Sequence, residues 1–303
     1  MSLSEPAAPV PHSVGVNRPS WPLPKGACDS HMHIFDARFT PSPHWPRTPP
    51  DAPVAAYRLL QQRLGTSRAV VVTPSTYGTD NACTLDALDQ LGDSARGVAV
   101  VAKDVPDDEL ARLAARRVRG LRVNFVSPQS WGVTTPAMLE TLAHKVARHP
   151  DCAGWHIQVF AHPAQIVALA PLLQTLPVPL VIDHMGRIDP AEATTAPAYR
   201  VLRRLLDGGN TWVKLSGAYM RSSVHGPGYT DTLPLGRALV QAAPERLVWG
   251  SDWPHTQHRE ITHFAAAHTA LADWVPDANA RRRILVDTPA QLFQFNQGDT
   301  HDQ

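Results

Sequence analysis

RAVVVT (68–73), DNACTLDALDQL (80–91), RGVAVVA (96–102), DDELARLAARR (107–117) and RGLRVNFV (119–126) follow one another along the chain. Short β-branched runs alternate with longer segments whose apolar residues recur every three to four positions. That is the pattern of strands joined by helices. The runs are nearly continuous in apolar residues, as expected of parallel strands covered by helices. The same alternation continues in both directions. GACDSHMHIF (26–35) precedes it, and AGWHIQVF (153–160), VPLVIDH (178–184), NTWVKLS (210–216) and ERLVWGS (245–251) follow. Helical patterns cover 135–149, 162–176, 197–208 and 231–243, and 277–295 reads as closing helices. Eight strand–helix units predict an α/β fold of the (β/α)8 TIM-barrel type. A doubly wound sheet would carry a glycine-rich phosphate turn after its first strand, and this sequence has none.

The expected organisation is a proline-rich arm over 1–25, one barrel over 26–296 and a polar tail over 297–303. The chain has 303 residues, 28 basic and 27 acidic, for a net charge of +1. This balance argues against a nucleic-acid or membrane-surface partner. The 43% hydrophobic content supports a large core. Cys28, Cys83 and Cys152 are scattered and form no disulfide framework or CxxC pair. The first residues, MSLSEPAAPVPHSVG, lack a charged-then-apolar leader, and no apolar run approaches membrane-spanning length. The expectation is a cytoplasmic protein, with the oligomeric state left open.

In a barrel of this type the chemistry sits at the carboxyl ends of the strands. The first strand ends in Asp29-Ser30-His31-Met32-His33, and residues two apart share a side, so His31 and His33 face together. The sixth ends in Asp183-His184-Met185-Gly186-Arg187, the eighth in Ser251-Asp252-Trp253-Pro254-His255. His31, His33, His184 and Asp252 can therefore meet in one barrel mouth. Tyr77, Asn124, His156, Tyr219 and Arg221 are candidate neighbours for a bound substrate. Asn124 shares strand parity with Arg122, and His156, Gln158 and Phe160 share one face of their strand. The loop 222–230, SSVHGPGYT, could cover the site but reads first as a surface loop.

CDSHMHIFD (28–36), PSTYGTDN (74–81), GLRVNF (120–125), VIDHMGR (181–187), VKLSGAY (213–219) and VWGSDWPH (248–255) resemble the amidohydrolase superfamily, in its 2-pyrone-4,6-dicarboxylate lactonase-like branch. The resemblance runs from about residue 24 to about residue 295. It implies hydrolysis of a small acidic lactone, with Asp252 as general base and His31, His33 and His184 around the reacting carbonyl. Ser75, Arg122 and Arg221 would match groups that bind carboxylates and the carbonyl, and Arg187 matches the DHxGR arginine. Two positions depart from the pattern. A second arginine after the GxRxN strand is replaced by Val126-Ser127-Pro128-Gln129, and a tyrosine on the fifth strand by Phe160. Loss of a bidentate carboxylate receptor changes which substrate fits.

The resemblance implies no required metal. The alternative is one zinc or manganese ion on His31, His33, His184 and Asp252. No lysine stands at the strand-four position that bridges binuclear centres. The expected partner is a small anionic lactone or its hydroxy-acid product, of the pyrone dicarboxylate, muconolactone or sugar-lactone type. A lactone isomerase, a zinc-dependent hydrolase or decarboxylase, and a non-catalytic small-acid binding protein are the competing readings.

Overall fold

The structure, a computed structural model, describes residues 10–13, 21–127, 134–224, 228–256 and 270–295. Eight parallel strands run in sequence order: β1 (Cys28–Met32), β2 (Arg68–Val72), β3 (Ala95–Ala99), β4 (Val118–Asn124), β5 (His156–Phe160), β6 (Leu180–Ile182), β7 (Thr211–Leu215) and β8 (Leu247–Trp249). Between them lie α1 (Val54–Leu64), α2 (Ala82–Leu91), α3 (Asp107–Ala115), α4 (Pro136–Arg148), α5 (Pro163–Leu173), α6 (Pro197–Asp207) and α7 (Leu233–Ala242). The fold is the expected (β/α)8 barrel. The closing segment is α8 (Ala278–Arg282), a π turn over Arg283–Asp287 and α9 (Thr288–Leu292). Among the described residues no helix is long and apolar enough to cross a membrane.

Strand parity divides the core in two. Ala69 and Val71 of β2 pack outward against the helices, whereas Val70 and Val72 face the lumen with Cys28, Val98, Val181 and Val248. Phe293 and Phe295 plug the lumen's lower end. Burial of the outward set against amphipathic helices supplies the main stabilisation of such a fold.

β1 does not keep one parity. Cys28 packs in the lumen, yet Met32, an even number of residues later, packs outward. The register with β2 slips between Asp29 and Met32. This bulge turns Met32 to the helices and His31 and His33 to the inside.

Neighbouring strands pair from β1 through to β8, and the β8–β1 seam is closed by specific bonds. Ser251 donates its N–H to Asp29 Oδ1 at 2.8 Å and its Oγ–H to Asp29 Oδ2 at 2.6 Å. Asp252 N–H donates to the His31 carbonyl at 2.8 Å. Gly250 lets the strands approach, because a Cβ there would stand 2.6 Å from His31 Cβ. In the arm, Val10 is buried, and Trp253 Nε1 donates to the Pro11 carbonyl at 2.8 Å. The tail 297–303 lies outside the described residues.

Candidate active site

The strand ends deliver polar side chains through unusual backbone. After β6, His184, Met185, Gly186 and Arg187 have φ of 52°, 51°, 66° and 53°. Left-handed backbone is costly for non-glycine residues, and a run of it marks a site held by its surroundings. The turn brings both His184 and Arg187 to the mouth. Asp252 also has positive φ, at 60°. Gly217 follows β7 at φ 65°, and a Cβ there would lie 2.8 Å from His184 Nδ1. The histidine ring sits where only glycine leaves room.

Asp252 Oδ1 is the point of convergence. It lies 3.5 Å from His31 Nε2, 3.6 Å from His33 Nε2 and 3.8 Å from His184 Nε2. Its other oxygen accepts from the Tyr219 hydroxyl at 2.6 Å. Burial pushes the Asp252 carboxyl up to about 7, against the lowering effect of Tyr219 and Arg122. Burial depresses the histidines: His33 and His184 to about 3, and His31 well below its ordinary value. The rings are therefore neutral beside a carboxyl that titrates near neutrality, as a general base requires.

A second layer lies beneath. Asp183 Oδ2 accepts from Arg122 Nε and Gln158 Nε2, each at 3.0 Å, and its Oδ1 stands 3.4 Å from His31 Nδ1. Burial opposes ionisation of Asp183, but His31, Arg122 and Lys214 hold its carboxyl well below the usual range. Lys214 is fully buried and donates to the Ser30 carbonyl at 2.8 Å. Burial draws its ammonium down to about 8.

Above this floor opens a cleft of about 140 Å³. His33, Ser75, Arg122, His184, Arg187 and Asp252 line it, with Phe160, Tyr219 and Trp45 on its walls. Arg122 and Arg187 both lie over the Phe160 ring, at 4.8 and 5.2 Å from its centroid. Arg187 contacts Met220 Sδ at 3.4 Å through Nη1, and its buried Nε has no hydrogen-bond partner among the described residues. Two guanidiniums meet on one aromatic wall, a placement that can receive an anionic group.

The remaining sequence candidates lie elsewhere. Asn124 stands behind Ser75, donating to its Oγ at 2.8 Å and accepting from the N–H groups of Val126 and Ser127. Tyr77 turns away to the backbone of Asp36. Arg221 points outward to Asp189 at 2.8 Å. His156 is buried at the lower end of the lumen against Phe293. It shares a face with Phe160 but sits about 13 Å lower along the strand, at roughly 3.3 Å per residue. Part of the 222–230 loop, 225–227, lies outside the described residues, as do Pro128 and Gln129. Sequence reasoning passed over Asp183 and Lys214. The signal available was one charged residue inside each apolar strand run.

Whether the four convergent residues suit a metal can be read from their spacing. Tetrahedral zinc with ligand bonds of about 2.0–2.1 Å has ligand–ligand edges of roughly 3.4 Å. The edge between His31 Nε2 and His33 Nε2 is 3.3 Å, and those to Asp252 Oδ1 are 3.5–3.8 Å. His33 Nδ1 is held by the Val72 carbonyl and His184 Nδ1 by Ser216 Oγ, each at 2.8 Å, which aims the Nε2 atoms inward. His31, His33 and Asp252 stand close enough together to hold one divalent ion, whereas His184 falls in a second grouping with His31 and Asp183.

The amidohydrolase family profile matches residues 28–295. A 4-sulfomuconolactone hydrolase of Rhizobium radiobacter is 35% identical over 279 residues, covering 90% of this chain and 92% of the relative. A 2-pyrone-4,6-dicarboxylate hydrolase of Comamonas testosteroni is 32% identical over 292 residues, covering 91% and 93%. The crystal structure of a putative 2-pyrone-4,6-dicarboxylic acid hydrolase from Pseudomonas putida superposes with a TM-score of 0.76 at 33% identity, covering 90% of this chain and 99% of that one.

Proposed function

The chain belongs to the amidohydrolase family, and from that premise we propose that it hydrolyses the ester bond of a small lactone bearing an acidic substituent, with Asp252 as general base. The observation that carries this reading is the position of Asp252 Oδ1, in contact with three neutral histidines on the floor of the cleft. Tyr219 engages the second carboxylate oxygen, so Oδ1 is the one left to take a proton.

In this reading Arg122 and Arg187 hold the anionic substituent against Phe160, and Ser75 adds a hydroxyl. They fix the ring carbonyl over the histidines. Water attacks the acyl carbon as Asp252 takes its proton, and N–H donors of the cleft stabilise the oxyanion. The bond from acyl carbon to ring oxygen then breaks, and the proton on Asp252 passes to the leaving oxygen. The product is a ring-opened hydroxy acid, or its keto tautomer when the leaving oxygen is enolic. A divalent ion held by His31, His33 and Asp252 would polarise the carbonyl and acidify bound water.

One cleft arginine stays with Asp183 through Nε, and Arg221 is turned outward. The anion receptor is therefore small, which favours one acidic group near the reacting carbonyl over two at opposite ends. The test is a panel of carboxylate- and sulfonate-substituted muconolactones, pyrone dicarboxylates and aldonolactones, assayed with and without chelator. Release of a ring-opened acid from a monoanionic lactone is expected. Ring migration, CO2 release, or tight binding without product would each replace the hydrolase reading by a different one.

A further inference from the structure

Lys214 enters the lumen from β7 and is 0% exposed. Beyond the Ser30 carbonyl, its Nζ lies 3.1 Å from His31 Nδ1 and 3.9 Å from Asp183 Oδ1. An ammonium has only donors, and it faces a ring nitrogen at hydrogen-bond distance. The Asp183 contact to the same nitrogen is longer, at 3.4 Å, and that carboxylate takes its own hydrogen bonds on Oδ2.

The opposite end of the histidine pair gives an independent constraint. His33 Nδ1 lies 2.8 Å from the Val72 carbonyl, which can only accept. His33 Nδ1 therefore carries the hydrogen, and its Nε2 presents a lone pair. His31 Nε2 stands 3.3 Å from that lone pair and 3.5 Å from Asp252 Oδ1. His31 Nδ1 thus faces the Lys214 donor at 3.1 Å and the Asp183 carboxylate farther off at 3.4 Å, while Nε2 faces two acceptors.

We propose that Lys214 is a positioning residue that donates to His31 Nδ1 and fixes His31 as the Nε2–H tautomer, giving the hydrogen-bond chain Lys214 to His31 to His33 to the Val72 carbonyl a single direction. His31 then directs its N–H at His33 Nε2 and Asp252 Oδ1 beneath the cleft that His33 lines, and His33 receives it on a lone pair. Two rings that look equivalent in sequence have opposite roles: His31 donates within the pair, and His33 accepts. In that tautomer His31 Nε2 has no lone pair to offer a cation, and it would have to give up that hydrogen to bind one.

The tautomer is measured directly on the wild-type protein labelled with 15N-histidine, by long-range proton–nitrogen correlation spectra. His31 is assigned by the signal missing from His31→Asn. The expected pattern has hydrogen on His31 Nε2 and on His33 Nδ1. Hydrogen on His31 Nδ1 overturns the proposal. This readout uses no substrate, so it stands or falls apart from the lactonase reading on which the kinetic role rests. In Lys214→Met, His31 should lose its single tautomer, and kcat should fall about ten- to a hundredfold with KM little changed. A folded Lys214→Met protein with the wild-type His31 pattern and full turnover contradicts the proposal. Should that variant not fold, the wild-type spectrum still decides.

Discussion

At the mouth of the barrel, Asp183 and Asp252 are buried among Arg122, Lys214 and three histidines. At the opposite end, Arg96 lies 4.4 Å over the Phe295 ring and donates to the carbonyls of Asp93, Ala95 and Gln294. His156 packs there on Phe293, 5.3 Å between ring centroids. Both ends bury charge or titratable rings, but with different partners. Carbonyl oxygens and aromatic faces hold the lower residues and exchange no protons with them. The mouth sets carboxylates against imidazoles within 4 Å, where a proton has more than one place to go. Burial alone does not identify chemistry; the acid–base character of the buried partners does.

The largest expected effect lies at the mouth. Asp252→Asn removes the base and should lower kcat by about 10²- to 10⁴-fold, measured on whichever lactone the wild type opens. The same variant should be more stable than wild type at alkaline pH. The folded pKa of about 7 lies above the usual carboxylate value of 3.8, so Asp252 stabilises the fold when protonated, and that contribution is lost as pH rises through 7. Equal melting temperatures at pH 9 would mean that the buried carboxylate costs nothing.

The next effect is on the pH profile. Turnover should rise through about pH 7 as Asp252 loses its proton. Tyr219 stabilises that carboxylate, so Tyr219→Phe should move the rise to higher pH. An unmoved profile would assign the limb to another group.

The lower end should answer in stability and hardly in rate. A Cβ on Gly120 would stand 2.5 Å from His156 Cε1. Gly120→Ala should cost about 1–3 kcal/mol in denaturant unfolding, with kcat changed little. His156 adds an acid limb. Burial takes its pKa from 6.5 to about 3, so its contribution is present above 6.5 and is lost as pH falls toward 3. His156→Gln should flatten that loss.

Arg221→Ala sets the lower bound. Its ion pair with Asp189 is solvent-exposed. Such pairs contribute about 0–1 kcal/mol, and kcat/KM should stay within about twofold. A large loss would bring Arg221 back into the cleft during turnover.

The barrel was legible because alternating strand and helix periods need no tertiary information. So were His31, His33, His184 and Asp252, each closing an apolar strand where a polar side chain needs a reason. The direction of the HxH pair was less so: parity counted from Cys28 would turn His31 outward, and only the bulge between Asp29 and Met32 corrects it. His156 shows the limit of parity from the other side, since a shared face says nothing about depth along the strand. Arg221 left its expected place because a loop arginine's direction depends on its partner, here Asp189, whereas Arg187 reached the cleft through the left-handed turn after β6. Lys214 stayed hidden because one lysine in VKL looks like an exposed strand residue until the seam with β1 is closed. Asp183 was masked by the histidine beside it.

The central claim is that Asp252 activates water for direct attack on the lactone carbonyl. A single turnover in 18O-enriched water, with enzyme in excess over the lactone, tests it. The account predicts one 18O atom in the new carboxylate of the first product formed and none in the protein. Label in Asp252 would reveal a covalent acyl–enzyme route. Label in the released hydroxyl, or none with the ring intact, would remove acyl attack by water altogether.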